Sequence, residues 1–331
     1  MENNNWLNLI IEEAIEPELE ICDPHHHLWD YPSNTYMTND LLADLESGHN
    51  IKSTAYMECG SMYRKHGAIS MRPIGETEFA HNIATSAADN RDSDIRICES
   101  IVGFADLTEF SVPQILDNHQ EISKHFVGIR HASAWDSNTT IKNAHTNPIK
   151  ELFSDSNFRR GFAELGKRNL TFDAWLYHPQ IPELTALAKA FPDQIIVLDH
   201  LGGPLGIGPY SGKRREIFNY WKKAINTLAD YPNVFAKLGG LVMPINGFGF
   251  HKNKFPPTSQ ELAETTRDYY LFMIDTFGPY RCMFESNFPV DKASCSYTVL
   301  WNSFKLITTG FSNAEKSALY RQTAEKIYRI D

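Results

Sequence analysis

Four apolar residues in an unbroken row, Ile195-Ile196-Val197-Leu198, stand between Gln194 and the turn Asp199-His200-Leu201-Gly202-Gly203-Pro204. A strand with one wet face would alternate apolar and polar side chains; an unbroken run reads as a parallel strand covered on both faces. Working outward, similar short runs recur at Leu19–Pro24, Ser53–Cys59, Ile97–Ala105, Phe126–Arg130, Leu170–Tyr177, Val234–Leu238 and Arg281–Phe284. With Gln194–Leu198 they make eight strand candidates. Between them, apolar residues repeat at helical spacing: Leu184, Leu187, Ala188 and Phe191; Ile217, Trp221, Ala224, Ile225 and Leu228; Leu262, Tyr269, Tyr270, Met273 and Ile274. These stripes are read as core packing.

Strands alternating with helices pair in parallel, because each return to the same end of a sheet needs a long crossover. A doubly wound open sheet would place a Gly-rich phosphate turn after its first strand, and here that turn is Asp23-Pro24-His25-His26-His27. The sequence therefore predicts an α/β fold, a (β/α)8 barrel forming a single domain over residues 1–331. The Pro- and Gly-rich stretch Met243–Pro257 has no periodicity, so residues 241–258 are expected to be an insertion over the barrel mouth. Asn313–Arg329 is expected to be a helix that closes the bottom or the side.

Composition narrows the function. With 42% hydrophobic and 22% charged residues in 331, collagen-like, coiled-coil and disordered chains are excluded. Thirty-one basic against 41 acidic residues leave a net charge of −10, which argues against a nucleic-acid or anionic-membrane partner. No run of about 18 apolar residues offers a membrane span, and the opening residues lack the pattern of a signal peptide. Five dispersed cysteines (Cys22, Cys59, Cys98, Cys282, Cys295) read as reduced thiols. A cytoplasmic protein acting on a small molecule is expected, with homo-oligomerisation left open.

In a barrel the chemistry stands at the carboxyl ends of the strands. Read in order, those ends carry His25-His26-His27, Glu58, Asp106, Arg130-His131, His178 with Gln180, Asp199-His200, Lys237, and Glu285-Ser286-Asn287. Six of 13 histidines fall there, a concentration that scatter would seldom produce. His25 and His27 are two apart and share a face, whereas His26 points the other way and is read as structural. Two converging imidazoles can share a divalent metal, hold a water or bond a substrate oxygen. His200 is expected to be exposed by its glycine turn, with Asp199 turned away as a loop anchor. Lys237 is read as the inward charge of its strand, and Arg130 as either a substrate clamp or the salt-bridge partner of Glu58.

The run Ile21-Cys22-Asp23-Pro24-His25-His26-His27-Leu28-Trp29-Asp30 resembles the opening signature of the amidohydrolase-2 branch of the amidohydrolase superfamily, which contains sugar-acid lactonases and 2-pyrone-4,6-dicarboxylate lactonase. The likeness extends through Gly128-Ile129-Arg130-His131, Leu176-Tyr177-His178-Pro179-Gln180, Leu198-Asp199-His200-Leu201-Gly202-Gly203-Pro204, Ala236-Lys237-Leu238-Gly239-Gly240 and Phe284-Glu285-Ser286-Asn287-Phe288-Pro289-Val290-Asp291, covering about residue 20 to 331. It implies a distorted barrel that hydrolyses a ring ester, with His25, His27 and His200 at the centre. Glu58, Arg130, His178, Gln180 and Lys237 would lie nearby, with Trp29 and Tyr177 as walls. It also implies either a zinc or manganese ion on His25, His27 and His200 or a metal-free site. The branch usually carries an aspartate in its strand-eight Ser-Asp-x-Pro motif, and here Asn287 stands in that place. An amide accepts no proton at neutral pH, so Asp291 or Glu58 is expected to serve as base. A metal-dependent decarboxylase and a non-catalytic metabolite binder are the alternatives.

Overall fold

The computed structural model describes residues 2–32, 34–89 and 94–331. Eight strands form one sheet: β1 (Glu20–His26), β2 (Asn50–Met57), β3 (Arg96–Gly103), β4 (Phe126–Arg130), β5 (Thr171–Ala174), β6 (Ile196–Leu198), β7 (Val234–Leu238) and β8 (Cys282–Phe284). Each pairs in parallel with the next, in chain order. β5 is shorter than the sequence suggests, because the chain turns away after Ala174 and Gln180 Oε1 takes the Tyr177 N–H at 3.1 Å. The seam between β1 and β8 closes just beyond the strand ends. There Asn287 N–H donates to the His25 carbonyl (2.9 Å) and His27 N–H to that of Phe288 (2.8 Å). Buried Asp23 secures the seam, accepting from Ser286 N–H and the Tyr297 hydroxyl, both at 3.0 Å. The result is a nearly closed (β/α)8 barrel.

Eight helices pack around it: α1 (Thr38–Leu45), α2 (Ile74–Asp89), α3 (Val112–Ile122), α4 (Ser156–Lys167), α5 (Ile181–Ala190), α6 (Arg214–Ala229), α7 (Ser259–Phe277) and α8 (Tyr297–Ile307). The apolar stripes face inward, as in α6, where Ile217, Trp221, Ile225 and Leu228 are buried. Starts are capped chemically: Asp155 accepts two backbone N–H bonds at the head of α4, and Thr258 with Glu261 forms a reciprocal cap on α7. A hairpin of Trp29–Tyr31 and Asn34–Tyr36 follows β1. Residues 241–258 leave the carboxyl end of β7 through two short turns. They are fastened to neighbouring loops by Gly206 N–H on the Ile245 carbonyl (3.0 Å) and the Ser294 hydroxyl on that of Val242 (2.7 Å).

The C-terminal helix takes the bottom of the barrel, not its side. Asn313–Ser317 and Thr323–Tyr328 flank a π turn. Ala324, Ile327, Tyr328 and Ile330 pack against Cys22, Ala55, Met57, Val102, Val127, Val197, Phe235 and Met283, the apolar lining of the barrel interior. All five cysteines are free, and among the described residues no helix is long and apolar enough to cross a membrane.

Candidate active site

Above that apolar plug, the next inward position on several strands is charged. Thr171, Val197, Phe235 and Met283 are followed two residues later by Asp173, Asp199, Lys237 and Glu285, all fully buried. Since side chains two apart share a strand face, these four groups stack on the plug and point into the interior. The Lys237 ammonium lies 2.8 Å from Asp173 Oδ1, 3.3 Å from Asp199 Oδ1 and 3.2 Å from His25 Nδ1. Asp199 therefore faces inward, not outward as a loop anchor; it also pairs with Arg130 Nη1 at 3.5 Å. The inward parity set by Val197 would have placed it correctly.

Three imidazoles lie on this charged layer. His25 and His27 approach edge to face with their Nε2 atoms 3.2 Å apart, and the His25 and His200 ring centres are 4.5 Å apart. His27 Nδ1 meets the Met57 carbonyl at 2.9 Å, so it carries the proton and Nε2 is left as acceptor. His25 Nε2 faces both His27 Nε2 and the Arg130 Nη1 donor at 3.2 Å, and its Nδ1 faces the Lys237 ammonium at 3.2 Å and Glu285 Oε2 at 2.8 Å. Burial holds both His25 and His27 well below the ordinary 6.5, so both rings are neutral.

His200 stands on unusual backbone. His200, Leu201, Gly202 and Gly203 are all left-handed, with φ of 52°, 53°, 69° and 51°. Two non-glycine residues held this way store strain that the surrounding structure must fix. The ring is seated by the glycines after β7: a Cβ on Gly240 would come 2.4 Å from His200 Nδ1, and one on Gly239 2.3 Å from Glu285 Cγ. In the space those glycines leave, His200 Nδ1 donates to Glu285 Oε1 at 2.6 Å, and Glu285 Oε2 lies 2.8 Å from His25 Nδ1. Glu285 thus bridges two of the three imidazoles. Half-exposed aromatic rings flank the cluster, Trp29 stacked over His27 and Trp175 edge-on to His200 at 4.8 Å.

Comparison with known proteins agrees with the fold. A family model described as "Amidohydrolase" matches residues 22–330. The chain belongs to the amidohydrolase family. It is 33% identical to the uncharacterized protein y4mH of Sinorhizobium fredii, over 95% of this chain and 99% of that one. It is 24% identical to an L-fucono-1,5-lactonase of Burkholderia multivorans, over 93% and 95% of the two chains. An amidohydrolase of Burkholderia multivorans solved with bound zinc shares the fold at a TM-score of 0.74 and 21% identity, covering 94% of this chain and 99% of that one.

Against the amidohydrolase motif, Asn287 is a seam residue. Its backbone closes β1 on β8, and its amide donates to Asp291 Oδ1 at 3.2 Å. Burial pushes the Asp291 carboxyl well above the ordinary carboxylate range, and its Oδ1 is taken by the Asn287 amide, so it does not suit the base expected of it. Glu58 suits that role no better. Burial would raise it, but His145 and Arg130 outweigh burial and hold it at about 2. Its oxygens are divided between Arg130 Nε (2.8 Å) and His145 Nε2 (2.9 Å). Arg130 and Lys237 are spent in buried ion pairs and are not free clamps. His178 Nδ1 accepts from Leu205 N–H (3.2 Å) and Gln180 binds the backbone of Ser133, Trp135 and Tyr177, so both fasten loops. His26 bonds Thr54 Oγ1 at 2.8 Å, and His131 Nδ1 accepts from Leu107 N–H. The sequence reading placed Glu285 at a strand end without giving it a role, and did not single out His145 or Trp175. The first stood in plain view two positions before Asn287.

The donor set suited to a cation is His25, His200 and Glu285, whose ligating atoms lie within 4.8 Å of one another; among the described residues this is the only such group, and His27 falls outside it. Two imidazoles with one carboxylate are an accepted ligand chemistry for zinc, and Glu285 Oε2 lacks a hydrogen-bond partner. By donor chemistry the residues fit a divalent ion.

Proposed function

We propose that the protein adds water to the ester carbonyl of a small lactone. The observation that carries this reading is the convergence of His25, His27 and His200 at the barrel mouth, with His200 held by a buried carboxylate. Because Glu285 takes the proton of His200 Nδ1, the lone pair on His200 Nε2 remains available toward the mouth. Positioned imidazole is a general base matched to neutral pH. His200 draws the proton from the attacking water, Glu285 stabilises the imidazolium that results, and that imidazolium returns the proton to the ring oxygen as the acyl C–O bond breaks and the ring opens. Charge gathering on the carbonyl oxygen is met by the fixed field of Arg130 and Lys237, which stand 3.2 Å from the two nitrogens of His25. Trp29 and Trp175 offer flat walls to a ring held between them. A divalent ion, when bound by His25, His200 and Glu285, would supply Lewis-acid polarisation of the carbonyl and would occupy the His200 lone pair, so it would replace the base role of His200 and not add to it.

The test is acid release from a panel of aldono- and pyrone-type lactones, run beside carbon dioxide release from hydroxybenzoates. Lactone opening is expected, with kcat lowered at least about 1000-fold in His200→Ala while the melting temperature stays near that of the parent. A fully active His200→Ala enzyme, or carbon dioxide release without lactone opening, would overturn the reading.

A further inference from the structure

A cavity of about 850 Å³ opens beyond the ends of β2, β3 and β4, its lining including Tyr31, Tyr63, Arg72, Asp106, Glu109 and His145. It adjoins the imidazole cluster through stacked rings, Tyr31 on Trp29 and Trp29 on His27. His145 forms its inner wall and is anchored from behind: its Nε2 donates to the fully buried Glu58 carboxylate at 2.9 Å. Gly60 makes this seat possible. Its φ is +74°, and a Cβ there would press to 3.1 Å from the His145 ring. Buried Glu76 ties down the same turn by accepting from Cys59 N–H (2.8 Å) and Ser61 N–H (3.2 Å).

With Nε2 committed to Glu58, the remaining donor of His145 is Nδ1. Among the described residues no protein group bonds it, and the side chain is 39% exposed. Burial works against charging this ring, yet Glu58 holds it above the ordinary 6.5. Glu58 thus serves both the Arg130 guanidinium and the His145 ring, and the one facing the cavity is His145. Arg72 lines the same cavity and has its Nε on the Gly67 carbonyl at 3.3 Å. Of the two carboxylates in the lining, Asp106 has one oxygen, Oδ1, taken by the hydroxyl and N–H of Thr108. In a chain of net charge −10, the free His145 Nδ1 and the Arg72 guanidinium in one cavity lining are donors suited to an anion. Arg130 and Lys237, sealed in their ion pairs, are not.

We infer that this cavity is a carboxylate subsite formed by His145 and Arg72, so that the ring ester opened at the imidazoles belongs to an acidic lactone. The inference rests on the lactonase reading for the chemistry, but not for the binding. Two probes of one carbon skeleton separate them: a six-carbon aldonolactone and the matching aldarolactone, which carries a carboxylate where the first has a hydroxymethyl group. The full-length protein is expected to favour the aldarolactone at least tenfold in kcat/KM, chiefly through KM. In His145→Gln, and more weakly in Arg72→Gln, that ratio should fall toward one. The open-chain aldarate and aldonate are then titrated calorimetrically onto the same proteins. Wild type should bind the aldarate at least tenfold more tightly, and His145→Gln should lose the difference. If no lactone is opened but the aldarate preference appears and depends on His145, the lactonase reading fails and the subsite stands. If lactones are opened with no preference for the acidic one, or with a preference that His145→Gln retains, the subsite is refuted. Arg72 is partly exposed, so its variant keeps the test readable should His145→Gln unfold.

Discussion

The lower and upper halves of the barrel interior are built from the same strands and obey opposite rules. Below, Val197, Phe235 and Met283 meet Ala324, Ile327 and Ile330 of the C-terminal helix in a dry apolar plug. One strand repeat above, Asp199, Lys237 and Glu285 are equally buried and held in ion pairs or hydrogen bonds. Burial is the same in both, so burial alone does not explain what each half does. The lower half is held by area removed from water, the upper by mutual neutralisation of groups that would be ruinous one at a time. The first can lose an atom and lose only its share. The second fails as a unit.

The largest effect expected from this difference follows Lys237→Met. It is close to isosteric along the stem, yet it leaves Asp173 and Asp199 facing each other in a dry interior. Removing one partner of a buried ion pair costs about 3–5 kcal/mol. Denaturant melts should show a loss of that order, and adding Asp173→Asn should restore part of it. Recovery absent from the double variant would mean that packing, not charge, dominates this layer. Met283→Ala probes the plug. A cost of about 2–5 kcal/mol is expected from the cavity left behind. The contrast lies in activity, since the folded Met283→Ala protein should keep its turnover while Lys237→Met loses it.

The plug and the strands were legible because they follow simple patterns. Unbroken apolar runs such as Ile195–Leu198 gave parallel strands, and all eight runs are strands of the barrel. The convergence of His25 with His27 was legible from their spacing. Asp199 was misjudged because it was paired by alternation with His200. The strand ends at Leu198, and His200 at φ 52° no longer alternates with anything. The correct reference was Val197. Glu285 was given no role because attention went to the motif position 287, where an amide closes the seam. Alternation from Met283 points to Glu285. His145 lay beyond sequence reasoning. It comes from the loop after β4, and only the turn at Gly60 brings it onto Glu58.

A smaller effect tests the boundary between the halves. Tyr328 belongs to both, its ring in the plug and its hydroxyl donating to Asp173 Oδ1 at 2.5 Å. Tyr328→Phe keeps the ring and removes the bond, while Lys237 still pairs with Asp173. The expected loss is about 1 kcal/mol, seen as a small shift in the denaturant midpoint. A loss as large as that of Lys237→Met would show that the plug, and not the ion pairs, sets the position of the upper layer.

The smallest effect is one of pH, at the edge where the charged layer meets solvent. Glu58 is held at about 2 against an ordinary 4.5, so the stability it gains is present above pH 4.5 and drains away as pH falls through 2. His145 is shifted the other way, above 6.5, so its share is complete below pH 6.5 and is lost as pH rises through the shifted value. Both contributions are whole only between pH 4.5 and 6.5. The melting temperature of wild type minus that of His145→Gln should therefore form a plateau in that interval and decline on either side. Solvent reaches the outer half of the pair, so the plateau should be low and should shrink with added salt. A difference that is flat from pH 4 to pH 9 would mean that His145 is held by packing against Gly60, and that its charge contributes nothing to the fold.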